Sequence, residues 1–302
     1  MRKLLFMCLR LSGIPFFLRL TLQRKATTIL CYHDPAPDVM DMHLNILKER
    51  YNLISLREYV AWRNGQSSAP LPSYALVVTL DDGHRGNAEL TPVFKKHKVM
   101  PTIFLCSAIV GTYRRFWWQA HDNYPEMVRL TRVPDYERLQ QLAKAGFSED
   151  KIYEDRRSLS REEIEALKGI VDFQSHTRFH PILPECAAGR AEEEIIGSRT
   201  ELNSKFGLTT YALAYPNGDY SDREIAIAEK AGYTCALTLG SGYNTAHTPL
   251  FRLLRLPFSD FADEDELIVK ASGLWSFIEK IFPKRSQGYL PVQAHTDDDQ
   301  GG

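Results

Sequence analysis

Two adjacent carboxylates, Asp81 and Asp82, end an apolar run and are followed at once by Gly83. Carboxylates placed after a buried strand are costly unless something compensates them, and a metal ion does so. Successive residues leaving a strand point in different directions, so one Asp can bind metal while the other faces substrate. Further along, His176 and His180 occupy the ends of H-T-R-F-H. One turn of helix, or an equivalent bend, brings residues i and i+4 to one face, and paired imidazoles at that spacing suit Zn, Co, Ni or Fe. Read singly, each pair has a plainer explanation, as solvated acids in a turn or as loop histidines. Together they supply one carboxylate and two imidazoles and leave coordination positions for water and substrate, which is the arrangement of a catalytic metal site. The sequence contains no HExxH, so a zincin-type protease is not supported.

The elements that must hold these residues alternate. Apolar runs at Ile29 to Tyr32, Tyr74 to Leu80, Thr102 to Cys106, Ile170 to Gln174, Tyr211 to Ala214, Tyr233 to Leu239 and Leu253 to Phe258 read as strands. Tyr74 to Leu80 is close to continuously apolar, as parallel strands covered on both faces tend to be. Helical patterns fall at 41–51, 55–63, 87–97, 191–206 and 261–282. Ser160-Arg-Glu-Glu163 and Ser221-Asp-Arg-Glu224 are capping boxes that open two further helices. Strand–helix alternation implies a parallel sheet with helical crossovers, and chemistry at the carboxyl ends of its strands. Residues 111–159, rich in aromatics and charge, interrupt the alternation and read as an insertion on one end.

Composition sets outer limits. With 44% hydrophobic and 25% charged residues the chain has an ordinary globular balance, and a net charge of −1 argues against a nucleic-acid surface. The five cysteines are widely spaced and odd in number, which argues against a disulfide framework. Residues 1–25 carry six basic and no acidic residues, and their apolar stretches are cut by Arg10, Pro15 and Arg19. A membrane span needs about 20 nearly uncharged residues, and a signal peptide needs a small-residue cleavage site; neither is read here. The segment is expected either to pack on the domain or to make peripheral contact with an anionic membrane surface.

Thr79-Leu-Asp-Asp-Gly83, Ser175-His-Thr-Arg-Phe-His180 and Ala214-Tyr-Pro-Asn-Gly218 resemble, in order and spacing, three motifs of the polysaccharide deacetylase family, the NodB-homology group or carbohydrate esterase family 4. The resemblance covers about residues 26–260. It implies an α/β fold, a distorted (β/α) barrel of about seven strands, here spanning 26–283 after the segment 1–25 and before a flexible acidic tail at 284–302. By motif position it implies Asp82, His176 and His180 as ligands of a divalent metal, zinc foremost with Co, Ni or Fe as alternatives, and Asp81 as general base. Leu30-Cys-Tyr-His-Asp34 resembles the early Y-H-D segment of the exopolysaccharide N-deacetylase subset, making His33 the expected catalytic acid and His247 its competitor. Tyr215, Pro216, Asn217, Arg255 and Trp117 are the expected substrate contacts, with the backbone N–H of Asn217 assisting at the oxyanion. Trp117 and Trp118 could stack on sugar rings or simply pack the insertion.

The sequence departs from the family at Ala214, where members carry an Arg that orients the catalytic Asp, and at His84, a place often held by an aromatic residue. Arg255 or Arg178 could stand in for the missing Arg. The expected activity is removal of N-acetyl groups from an N-acetylhexosamine-containing glycan, with no nucleic-acid partner. A carbohydrate O-deacetylase and a non-catalytic carbohydrate-binding protein of the same fold are the alternatives. The free cysteines point to the cytoplasm or the cytoplasmic membrane surface without excluding export.

Overall fold

A computed structural model describes residues 2–120 and 124–282; the expected acidic tail lies outside the described residues. Eight parallel strands are present among them: β1 (Thr28–Tyr32), β2 (Asn52–Leu53), β3 (Ala75–Leu80), β4 (Thr102–Leu105), β5 (Asp172–Ser175), β6 (Ala212–Ala214), β7 (Cys235–Leu239) and β8 (Leu253–Pro257). β3 pairs with β4, and pairing runs on in sequence order to β8. β8 then pairs with β1 (Leu30 beside Leu256), and β1 returns to β3 (Thr28 beside Leu76, Tyr32 beside Leu80). Seven strands thus close into a barrel, as expected. The two-residue β2 shares one edge of β3 with β4, β2 at Ala75 and Leu76, β4 at Thr79 and Leu80.

Helices cross between the strands. α1 (Arg2–Leu11) and α2 (Ile14–Thr21) precede β1; α3 (Pro37–Lys48) and α4 (Leu56–Arg63) flank β2; α5 (Thr91–His97) links β3 to β4. The inserted segment holds α6 (Tyr124–Leu130) and α7 (Asp135–Lys144) ahead of α8 (Arg161–Leu167). α9 (Ala188–Phe206) and α10 (Asp222–Lys230) complete the later crossovers, and α11 (Glu264–Ala271) and α12 (Leu274–Ile281) follow β8. Both expected capping boxes form, and a third, Ser55 with Glu58, opens α4.

Three expectations change. The single helix at 261–282 is two, because Gly273 adopts φ +76 and breaks it. The helix at 41–51 begins earlier, at Pro37, whose fixed φ suits a first helical turn. The helix at 87–97 starts as a 3₁₀ turn over Arg85–Leu90. Strand side chains such as Leu30, Leu76, Leu80, Ile103 and Leu256 are 0–1% exposed and fill the core with α3, α5 and α11. The insertion forms a second core, with Phe116, Trp117, Trp118, Met127 and Leu142 packed against Ile109 and Phe179. This apolar cap sits over the loop after β5, at the carboxyl end of the barrel.

Candidate active site

β3 delivers Asp81 and Asp82 to the carboxyl end of the barrel, where the chain turns sharply: Asp82 and Gly83 both have positive φ, +73 and +75. A side chain at Gly83 would meet Leu105 Cδ2 at 2.6 Å, so the turn there needs glycine. The loop after β5 brings up His176 and His180, with positive φ at Thr177 and His180. Six non-glycine residues have positive φ among the described residues, and four of them, Asp82, Thr177, His180 and Asn217, lie in the three motif segments. Such backbone persists where surrounding contacts over-determine it, typically at functional sites.

Those contacts are on hand. Glu194 of α9, fully buried, accepts the backbone N–H groups of Arg178 and Phe179, each at 2.8 Å. From the insertion, the Trp117 indole N–H donates to the carbonyl of His180 at 2.9 Å. The Arg138 guanidinium lies over the Trp117 ring, 4.9 Å from its centre, and pairs with Asp135. The insertion therefore clamps the histidine loop from above while α9 holds it from the side.

Asp82 Oδ1 lies 3.5 Å from both His176 Nε2 and His180 Nε2. These donor atoms lie within 4.8 Å of one another, and all three residues are at most 2% exposed. His176 holds its Nδ1–H to the carbonyl of Ala214 at 2.8 Å, which fixes the tautomer and leaves the Nε2 lone pair facing Asp82. Burial, only partly opposed by Asp82, pushes His180 down to about 3, so its ring is neutral at ordinary pH. Burial alone would raise the Asp82 carboxyl, but its hydrogen bond from His84 and the neighbouring imidazoles hold it well below the usual carboxylate range. Burial alone would lower His84; the Asp82 contact outweighs it and lifts the imidazole to about 9. His84 occupies Asp82 Oδ2 at 3.1 Å, whereas Oδ1 is buried with no hydrogen-bond partner. An orphaned carboxylate oxygen facing two imidazole nitrogens is costly as it stands and suited to a divalent cation. The donor set fits the expected metal.

Beside this set, Asp81 is held by Arg255 of β8. The guanidinium reaches Oδ1 at 2.6 Å and Oδ2 at 2.8 Å, and Arg255 is itself 0% exposed. Burial would raise the Asp81 carboxyl; Arg255, then His176 and His33, override it and hold it below the usual range. Asp81 Oδ2 also lies 3.6 Å from His176 Nε2 and 3.4 Å from the Cys31 thiol. A ring nitrogen of His33, Cys31 Sγ and an Asp81 oxygen all lie within 4.8 Å of one another. Burial keeps the Cys31 thiol protonated, so it acts as a donor to Asp81 and not as a thiolate ligand. The His33 backbone is pinned by Asp260, which accepts the N–H groups of His33 and Asp34 at 3.0 and 3.1 Å, and by Asn87, which donates to the His33 carbonyl at 2.8 Å.

The sequence profile of the family described as polysaccharide deacetylase matches residues 69–236, more than half of the chain and all three motif segments. The chain belongs to the polysaccharide deacetylase family. A Bacillus subtilis protein named as a polysaccharide deacetylase, YxkH, is 23% identical over 185 residues, 61% of this chain and 51% of that protein. The chain thus spans about half the length of this relative. Among solved structures, the Streptococcus pyogenes deacetylase PplD in complex with acetate is similar, with TM-score 0.60, 19% identity and coverage of 82% of this chain and 98% of that one. A de-N-acetylase from Aggregatibacter actinomycetemcomitans is similar at TM-score 0.57, 16% identity and coverage of 81% and 99%. These likenesses establish the fold.

Within this deacetylase fold, several expected contacts sit elsewhere. Arg255 is sealed beneath Asp81 and cannot touch a glycan; it fills the role of the Arg missing at Ala214, from a different strand. Arg178 instead pairs with Glu193 and Glu201 at the side of α9. Trp117 is 2% exposed and Trp118 7%, so both pack the insertion, and Trp118 sets its edge against His180 at 4.6 Å. Tyr215 is buried, with its hydroxyl on the carbonyl of Phe251 and its ring stacked on Tyr220, and Pro216 is buried beside it. Of that motif only Asn217 is half-exposed at the carboxyl end of β6. His247 lies in an exposed loop whose neighbours Thr245 and Thr248 are held by Arg63 of α4 and whose Asn244 bridges to Thr27, before β1. It is at the amino end of the barrel, away from Asp81, whereas a ring nitrogen of His33 lies within 4.8 Å of an Asp81 oxygen. Cys31, Asn87, Glu194 and Asp260 are the supporting residues that sequence reasoning did not single out.

Proposed function

We propose that this protein is a metal-dependent hydrolase that removes N-acetyl groups from an N-acetylhexosamine-containing glycan. The observation that carries this reading is the orphaned Asp82 oxygen facing His176 and His180, immediately beside an Asp81 whose both oxygens are gripped by Arg255. A divalent ion, zinc foremost, would be held by Asp82, His176 and His180 and would supply Lewis-acid polarisation of the acetyl carbonyl and a more acidic water. Asp81, ionised and fixed in orientation, takes the proton of the attacking water. His33, on the neighbouring strand end, gives a proton to the departing amine.

The need for that second group favours an amide over an ester. An amine leaves only when protonated, whereas an alcohol departs with far less help, so a paired base and acid is the equipment of N-deacetylation. The likeness to a protein named as a de-N-acetylase supports the same choice. A binding protein of this fold would leave the buried Asp81–Arg255 pair without a use.

The test is acetate release from N-acetylglucosamine oligomers and from O-acetylated sugars, with and without a chelator. Chelator-sensitive release from the N-acetyl series alone is expected. Release from the O-acetyl series alone would replace the amide reading with the ester one, and chelator-insensitive release would remove the metal from the mechanism.

A further inference from the structure

α1 and α2 are amphipathic the wrong way round for helices that face water. Phe6 of α1 is 2% exposed and packs with Leu9 and Leu18 on Val269, Leu274 and Trp275. Two arginines of α1 pair with α11: Arg2, itself still largely exposed, with Glu266, and Arg10 with Glu264 and Asp265. Arg19 of α2 donates to the carbonyl of Arg50 and lies over the Tyr74 ring. Much of what points outward is apolar. Leu4 (60% exposed), Met7 and Leu11 (75%) recur at the i, i+3, i+7 spacing of one helical face, and on α2 Phe16 (61%) and Leu20 lie four apart, with Phe17 (63%) exposed beside them. Both inner faces converge on one cluster, so the two outer faces lie side by side. α12 packs on α2, and Ile281 and Phe282 at its end are exposed as well. A soluble helix carries its polar residues on the solvent side, and contiguous exposed apolar surface of this kind marks an interaction site.

We propose that α1 and α2 form a peripheral docking surface for an anionic phospholipid bilayer. Charge selects this occupant. Lys3, Arg24 and Lys25 are exposed, no ion pair is recorded for them among the described residues, and no acidic residue precedes Asp34 in the chain. A rim of free cations around an apolar face complements anionic headgroups. The same rim opposes a second copy of the chain, since two-fold pairing would bring like charges together. Contact on the surface, not a span, follows from the packing. The two helices together are long and apolar enough to cross although bent by 54° to one another, but threading them through a bilayer would extract Phe6 from its cluster with α11 and α12 and pull Arg2 and Arg10 away from the three acids of α11. This inference is independent of the chemistry proposed for Asp81, Asp82 and the histidines.

Flotation of the full chain with vesicles tests it, comparing phosphatidylcholine alone with phosphatidylcholine mixed with phosphatidylglycerol. Binding to the anionic vesicles is expected, weakening as salt is raised. It should be at least about tenfold stronger than to the neutral ones. The triple change Leu11→Gln, Phe17→Gln, Leu20→Gln should abolish it, and Lys3→Glu, Arg24→Glu, Lys25→Glu should weaken it by about tenfold or more. Circular dichroism of each variant, whose changed side chains are exposed, establishes that it still folds. Failure to float with anionic vesicles overturns the proposal. So does retention after alkaline carbonate washing, which indicates a span, and so does a dimer by light scattering that the glutamine variant dissociates.

Discussion

The guanidinium of Arg255 holds both carboxylate oxygens of Asp81, at 2.6 and 2.8 Å, across a separation of 174 residues. Because both partners are buried, removing one leaves an uncompensated charge. Arg255→Met is expected to destabilise the fold by about 3–5 kcal/mol. Adding Asp81→Asn to it should restore much of that loss, since a neutral amide tolerates burial without a cation. Chemical denaturation of the wild type, the single and the double variants checks this; a double variant no more stable than Arg255→Met alone contradicts it.

The same pair sets a pH dependence. Asp81 is depressed in the folded state, so its contribution to stability is complete above the unfolded carboxyl value of about 3.9 and is lost as pH falls through the lower folded value. Across pH 5 to 8 Asp81 therefore stays ionised and contributes no acid limb to kcat/KM. In Arg255→Met, or in Arg255→Lys where the two-pronged contact is lost, the carboxyl rises and an acid limb should move up the pH scale. A pH–rate profile identical to the wild type would exclude Arg255 as the group that tunes the base.

Metal content separates ligand from base. His176→Ala and His180→Ala should each lose most bound zinc together with activity, while Asp81→Asn should keep its zinc and lose turnover. Elemental analysis beside acetate release distinguishes them; a metal-replete, active His176→Ala would end the ligand assignment.

His33→Ala should retain metal and lower turnover by about 10²–10⁴-fold, the span typical of a lost general acid. The loss should be smaller on an activated anilide substrate, whose leaving group needs less protonation. An equal loss on both substrates assigns His33 to positioning.

Trp117→Phe removes the single N–H that reaches the His180 carbonyl while keeping an aromatic ring, and Glu194→Gln weakens the acceptor of the Arg178 and Phe179 amides. Groups that orient a metal ligand typically cost 10–100-fold in metal affinity when changed, and about that loss is expected here. Competition against a zinc-binding dye measures it.

Much of this architecture was legible in the sequence because its signals are local. Ala75–Leu80 is apolar at five of six positions since both faces of a parallel strand are covered, and Ser160 with Glu163 announces a helix through contacts within one turn. The metal donors were legible because each pair sits within a few residues of its strand end. What was not legible depends on closure. Arg255 looked like a substrate contact because nothing local says which way a strand residue faces in a barrel whose register is unknown. Trp117 looked like a sugar platform because exposed and buried indoles share one sequence signature, and only the fold brings its N–H to His180. β2 is two residues long and carries no periodicity, and the break at Gly273 lay inside an otherwise unbroken amphipathic pattern.

The seam between β1 and β8 has a consequence for how activity is acquired. His33 leaves β1 and Arg255 sits on β8, and both lie outside the matched residues 69–236 that carry Asp82, His176 and His180. Asp260 ties the two sides together through the backbone of His33. Contacts so distant in sequence are among the slowest to form. A chain in which β8 has not yet met β1 can still bring His33 beside Asp81 through the β1–β3 pairing and gather Asp82, His176 and His180, yet its Asp81 lacks the guanidinium that orients it. On the proposed mechanism, the orientation of the base therefore depends on the closing strand of the barrel, and a barrel left open at this seam should be poor at hydrolysis even with its metal donors gathered.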